Sequence, residues 1–157
     1  MAPAQAHVHS EIGRVIARLA RMWRRESDQA LFDHGLSYAT AIPLLLLSRQ
    51  GENVRQGVLA DELGVEGPSL VRLIDLLQAE GLVERREDPT NRRAKTLHLT
   101  KAGEAKVEET NRVLRRVRSS LLKDIGADEL AITFETLQRI EQRASRLQDT
   151  KTGPETK

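Results

Sequence analysis

The sequence predicts a mainly α fold with a minor β part, an α+β class, on three observations. Apolar residues recur at helical spacing over most of the chain. Two short helices in its middle are punctuated by Gly64 and Gly81. One segment, Lys95–Thr100, alternates as a half-buried strand does. The expected plan is a compact middle region, residues 36–100, flanked by long helices within 10–35 and 101–148.

Met1–Val8 (MAPAQAHV) belongs to an expected flexible arm over residues 1–9. The first long helix is expected from about Ser10 to Asp33, where Ile12, Val15, Ile16, Leu19, Met22 and Trp23 form an apolar stripe. Arg14, Arg18, Arg21 and Arg25 line a second face. His34-Gly35 ends this helix, and Ser37 is placed to cap a second one, about Tyr38–Arg49, by accepting from its free backbone N–H groups. Ile42-Pro43-Leu44-Leu45-Leu46-Leu47 makes the second helix apolar nearly all round, so it should be buried, with Pro43 in its first turns, where the missing N–H costs least. Gln50–Asn53 is the link to the middle region.

Leu59 and Leu63 give the next helix one apolar face, and Gly64 follows where a left-handed helix end is expected. Gly67-Pro68 restarts the chain, proline having the right φ and no N–H to leave unused at the first helical position. The helix that follows runs to about Glu80 and stops at Gly81. Its Leu70, Leu73, Ile74 and Leu77 face inward, while Ser69, Arg72, Asp75 and Gln78 point elsewhere. Leu82-Val83 then begins one strand and Lys95–Thr100 forms another. The intervening loop carries Arg85, Arg86, Arg92, Arg93 and Lys95 against Glu84, Glu87 and Asp88, with Pro89-Thr90-Asn91 at its tip.

Thr100 is placed to cap a helix of about Lys101–Asp124, in which Val107, Leu114 and Leu121 recur every seven residues. Gly126 breaks the chain. A last helix, about Asp128–Leu147, carries Leu130, Leu137 and Ala144 with Phe134, Ile140 and Leu147 between them. Two such stripes exceed what a small domain can cover, so residues 10–35 and 101–148 are expected to form a dimerisation region against a second copy. An intramolecular helical hairpin is the alternative. Residues 149–157 read as a disordered tail.

A helix pair with a tight turn, followed at once by a basic hairpin, is a winged helix-turn-helix pattern. It points to double-stranded DNA: a polar face with Ser69 and Arg72 suits base edges and phosphates in a major groove. Arginines near a hairpin tip suit a narrow, electronegative minor groove. The residues expected to touch DNA are Pro68, Ser69 and Arg72 on the helix, Arg92 and Arg93 at the wing, and Arg85, Arg86 and Lys95 on phosphates.

Leu59-Ala60-Asp61-Glu62-Leu63-Gly64-Val65, Pro68-Ser69-Leu70-Val71-Arg72, Gly81-Leu82-Val83 and Asp88–Lys95 with Leu99-Thr100 together resemble the MarR family of transcriptional regulators, and within it most nearly the SlyA-like branch. The resemblance runs over about Ile12–Leu147. It implies a homodimer on pseudopalindromic operators, a repressor more often than not, released by a small aromatic or phenolic acid held between the dimer helices and the winged domain. Positions matching the branch's ligand site are Arg21, Arg24, Ala39, Ala41 and Arg72, with Ala41 in place of a bulky aromatic. Arg72 would then serve DNA and ligand in turn. The family usually has aspartate at Asn91, where it braces the wing arginine; asparagine can still accept a hydrogen bond.

Length and composition bound the remainder. A chain of 157 residues with 39% hydrophobic and 31% charged residues suits one soluble domain. A net charge of +2 and a pI near 9.2 only permit a nucleic-acid partner; local clustering of arginine is what argues for one. The absence of cysteine excludes disulfides, thiolate metal sites and thiol redox sensing. No apolar run has the length of a membrane span or a signal-peptide core, so a cytoplasmic location is expected. His7, His9, His34 and His98 lack metal-ligand spacing, and no nucleophile–base pair or phosphate-cradling loop is present, so neither cofactor nor catalysis is expected. The rival functions are an architectural DNA binder without operator or ligand, and a winged-helix protein-interaction module.

Overall fold

The computed structural model describes residues 3–51, 53–88 and 90–149, with the side chains of 3–6, 92, 93, 148 and 149 outside that description. The expected tail beyond Asp149 also lies outside the described residues. The chain forms two compact units, Met1–Ser119 and Ser120–Lys157.

The first unit begins with α1 (Pro3–Phe32), α2 (Tyr38–Gln50), β1 (Val54–Arg55), α3 (Gln56–Leu63) and α4 (Gly67–Ala79). These are followed by β2 (Val83–Asp88), β3 (Asn91–Leu99) and most of α5 (Lys101–Leu121). Helix α1 starts at Pro3, so the expected arm over residues 1–9 is helical from there. Proline suits a first helical turn, and Ala4, Gln5 and Ala6 favour helix where glycine or a cap residue would have delayed it. Ser37 caps α2 as expected: its Oγ accepts from Thr40 N at 3.2 Å, while Thr40 Oγ1 accepts from Ser37 N at 3.0 Å. Asp28 Oδ1 accepts a second bond at this corner, from Tyr38 N at 2.6 Å, and so fixes the start of α2 against α1.

Gly64 has φ +62 and closes α3 in the left-handed region, Val65 N returning to Ala60 O at 3.1 Å. Gly81, at φ +70, closes the end of α4, where Leu82 N bonds Leu77 O at 2.9 Å. The sheet has the order β1-β3-β2, all antiparallel, with Val54 opposite Leu97 and Val83 opposite Leu99. Two features differ from expectation. Val54–Arg55 is a third strand, and the arginine-rich segment is strand almost to its tip rather than loop. Cross-strand pairing to β3 supplies the backbone hydrogen bonds that the charged sequence gave no sign of.

Leu31, Leu44, Leu59, Leu70, Ile74, Leu77 and Leu97 are fully buried and form the centre of the core, with Val107, Val113 and Leu114 of α5 packed into the same cluster. The stripe of α5 is therefore largely spent within its own unit. At the foot of α5, Thr100 Oγ1 donates to Gly81 O at 2.6 Å and accepts from Gly103 N at 3.0 Å, while Thr100 N bonds Leu82 O at 3.1 Å. Gly103 packs so closely here that a Cβ would overlap the Leu82 carbonyl oxygen. Farther along α5, Lys106 donates to His34 O at 3.1 Å and to Glu109 at 2.8 Å, and the His34 ring meets Glu109 at 2.7 Å, tying α5 to the α1–α2 turn.

The second unit holds α6 (Ala127–Asp149), whose Phe134, Leu137, Ile140 and Leu147 are exposed along one face. On α1 a comparable exposed stripe runs through Val8, Ile12, Val15, Ile16, Leu19 and Met22.

Candidate nucleic-acid interface

Helix α4 buries Leu70, Ile74 and Leu77 and presents the opposite edge to solvent. Pro68 lies in its first turn, and Ser69 and Arg72 are exposed beyond it. Among the described residues the Ser69 hydroxyl and the Arg72 guanidinium have no partner within the protein. Asp75 and Gln78, farther along, are engaged. Arg85 on β2 donates to Asp75 Oδ1 at 2.6 Å and to Gln78 Oε1 at 2.8 Å. Arg85 was expected on a phosphate; in this structure it is a clamp between strand and helix. The clamp neutralises the Asp75 carboxylate on the exposed flank of the helix.

The other cations lie along the wing. Arg86 is exposed and pairs with its neighbour Glu84, while Lys95 pairs more loosely with Glu87 across the strands at 3.4 Å. Exposed pairs of this kind are worth about 0–1 kcal/mol and exchange readily for phosphate contacts. The register passes from Glu87↔Lys95 to Asp88↔Asn91, so β3 advances four residues while β2 advances one. Arg92 and Arg93 sit in that irregularity near the tip; their side chains lie outside the described residues. The strands from Val83 to Leu99 carry five Arg and Lys against three Asp and Glu, a local excess of two positive charges.

The tip is braced by bonds that the sequence did not reveal. Asp88 is buried, and its Oδ1 accepts from the Thr90 hydroxyl at 2.6 Å and from Thr90 N at 2.8 Å. Its Oδ2 accepts from Arg55 Nε at 2.7 Å, and Arg55 Nη2 reaches Thr90 Oγ1 at 3.2 Å. Strand β1 thus exists in part to bring Arg55 beneath the wing tip. The Thr90 bonds foremost, and then Arg55, lower the Asp88 carboxyl from the ordinary 3.8 to about 2. Folding therefore gains from ionised Asp88 in full above about pH 4, and loses that gain as pH falls from there through about 2. Carboxyl-resolved NMR titration is expected to place Asp88 well below its ordinary value, and Arg55→Ala with Thr90→Val to return it part of the way, the bond from Thr90 N remaining; an unshifted wild-type carboxyl would refute the brace.

A second feature of the same unit is a cavity of about 230 Å³ between α1, α2 and α5. Trp23, Ile42, Leu45, Leu46 and Leu114 make its apolar wall, and Arg49 and Arg118 stand at it as cations. Ser27 also lines it, fully buried, and among the described residues its Oγ is the one buried side-chain nitrogen or oxygen without a hydrogen-bond partner. A buried hydroxyl left unsatisfied is costly unless something occupies the space beside it. Tyr38 closes one side, its ring covered at 5.5 Å by the Arg24 guanidinium.

The residues expected for a ligand do not converge in this way. Arg21 and Arg24 share an open depression on the outer face of α1 with Arg25, Asp28, Gln29 and Phe32. Ala39 is exposed, Ala41 is fully buried in the core, and Arg72 lies on the outer edge of α4. Trp23, at the end of the expected apolar stripe of the first helix, is a wall of the cavity. Among the described residues no three His, Asp or Glu side chains gather as metal ligands, and no helix is long and apolar enough to cross a membrane.

A reading helix seated by a glycine-closed turn, beside a basic two-stranded wing, defines a winged helix-turn-helix DNA-binding protein. The comparisons with known proteins name its kind. The model of the MarR family matches residues 34–94. The transcriptional regulator PA3341 is 36% identical, with a TM-score of 0.79 over 86% of this chain and 98% of that one. CouR from Rhodococcus jostii RHA1, solved bound to p-coumaroyl-CoA, is 27% identical, with a TM-score of 0.76 over 85% of this chain and 93% of that one. A mutant MarR from E. coli, solved in complex with operator DNA, is 25% identical, with a TM-score of 0.76 over 82% and 92%. The chain belongs to the MarR family of transcriptional regulators.

Proposed function

We propose that the protein is a homodimeric, cytoplasmic repressor of the SlyA-like branch that reads a pseudopalindromic operator and leaves it when a small aromatic acid binds. The observation that carries the DNA half is the free edge of α4, where Ser69 and Arg72 stand unpartnered beside Asp75 and Gln78 held back by Arg85. Arg72 reads a base edge or phosphate, Ser69 a phosphate, Pro68 sets the approach, and Arg86, Arg92, Arg93 and Lys95 follow the flanking backbone and groove. The operator-bound E. coli relative supports this use of the fold. The exposed stripes of α1 and α6 support pairing with a second copy, since apolar faces of that length are otherwise left in water.

The ligand half rests on the cavity at Trp23, Ser27, Arg49 and Arg118. An aromatic ring takes the apolar wall, a carboxylate takes a guanidinium, and a phenolic or carboxylate oxygen satisfies Ser27. The p-coumaroyl thioester on CouR supports an aromatic acyl occupant. Because α2 leads through β1 to α3, a ligand wedged against α2 alters the seat of the reading helices.

Competition of the upstream intergenic DNA against bulk DNA at fixed salt is expected to show a preference of at least ~10³ for specific sequence. Salicylate-type or cinnamate-type acids are expected to lower the bound fraction. Arg118→Ala should weaken that response about tenfold or more, by loss of one charged hydrogen bond of about 1.5–3 kcal/mol, while operator affinity without ligand stays as in wild type. A small preference with no acid response would instead identify an architectural binder.

A further inference from the structure

On the reading helix two large apolar side chains are exposed, Val71 and Leu76, and of these Val71 lies in the N-terminal turns. Val71 is the fifth residue of α4 and lies next to Arg72. It is 39% exposed, while Leu70, Ile74 and Leu77 on the same helix are fully buried. It does not cover the core. Helix geometry sets Val71, Asp75 and Gln78 along one flank of the outer edge, about 100° apart per residue from their neighbours. Asp75 and Gln78 on that flank are taken by Arg85, so Val71 is the side chain there left to meet a partner.

We infer that Val71 reads the C5-methyl group of a thymine, at a base pair neighbouring the one contacted by Arg72. This rests on the operator-reading role proposed above and names the chemistry of part of the operator. The major-groove edge of thymine is distinguished by that methyl, and an apolar side chain is what recognises it. Residues in the N-terminal turns of such a helix are those that reach base edges. Val71 and Arg72 project about 100° apart around the helix, so they address different pairs rather than the same one. A β-branched side chain in a helix is held in one χ1 rotamer, so little freedom is lost on contact.

The test is a deoxyuridine scan, since deoxyuridine pairs as thymidine does and lacks only the methyl. Once the preferred site has been selected from random duplexes, each thymidine is replaced singly, then in both half-sites together. Wild type is expected to lose about fourfold in affinity at one position per half-site and roughly tenfold or more when both are replaced, the value of one buried methyl at each. Val71→Ala should bind the thymine operator about as weakly as wild type binds the uracil one, and should no longer distinguish the two bases at that position. Alanine favours helix over valine, so this variant keeps α4. Leu76→Ala, at another exposed apolar site of α4, should retain the wild-type distinction at that position. A wild-type scan without any methyl effect overturns the inference, as does an effect that persists in Val71→Ala. Failure of the selection to yield a preferred site would instead overturn the operator-reading role itself.

Discussion

Gly103→Ala is expected to destabilise the first unit by about 3 kcal/mol or more, beyond the usual range for a single added methyl. The added Cβ would overlap the Leu82 carbonyl oxygen, lie 3.0 Å from its carbonyl carbon, and stand 3.2 Å from Leu99 Cδ2. Overpacking against a side chain can be relieved by a rotamer change; this obstacle is backbone, fixed by Gly81 and by the bond from Thr100 N to Leu82 O. Either α5 withdraws from the foot of the wing or β2 gives up its pairing with β3. Chemical denaturation should show an earlier midpoint, and amide exchange should open first at Leu82–Glu84 and Leu97–Leu99. An unchanged midpoint would mean that α5 does not pack on this turn.

Leu19→Glu and Leu137→Glu are each expected to yield monomers that bind operator 10² to 10⁴ times more weakly than wild type. Both residues lie on exposed apolar stripes, at 51% and 41% exposure, so a charge there costs the isolated protomer little and a packed interface much. The loss in DNA affinity follows from bivalency: once one winged domain is seated, its tethered twin meets the second half-site at high effective concentration. Sedimentation and operator titration would be measured together, with circular dichroism to show that the helices remain. A variant that stays dimeric with undiminished affinity would show that the interface lies on other faces.

The sequence revealed what is decided locally. Ser37, Gly64, Pro68 and Gly81 mark helix ends through chemistry within four residues of themselves, and each end lies within a residue or two of its expected place. Strand β1 was not legible, because two residues have no periodicity and Val54 gains strand geometry only from Leu97, far along the chain. The charged run from Glu84 to Ala94 read as loop for the same reason: its ladder belongs to the partner strand. Helices α5 and α6 carry similar heptad stripes, yet Val107 and Leu114 are buried within their own unit while Leu137 and Ile140 are not. Nothing in either stripe distinguishes the two fates.

The site divides along the same line. Ser69 and Arg72 could be placed from helix phase alone. The clamp of Arg85 on Asp75 and Gln78, and the brace of Arg55 on Asp88, join residues 7 to 33 positions apart and needed the fold. The cavity was least accessible. Ser27, Arg49 and Arg118 come from three helices, and none of them sits in a local pattern that marks a binding residue. The resemblance directed attention to Arg21, Arg24 and Ala41, which the fold disperses between an open helix face and the core.

The proposed dimer seats two reading helices together on one face of a duplex, at a separation fixed by the protein. Operator affinity as a function of half-site spacing measures this most directly. Inserting about five base pairs, half a helical turn, between the half-sites should lower affinity by two orders of magnitude or more, and about ten should restore part of it, since the grooves return to the same face. Affinity that does not vary with the insertion would contradict this paired seating, for it would mean that each winged domain binds DNA alone.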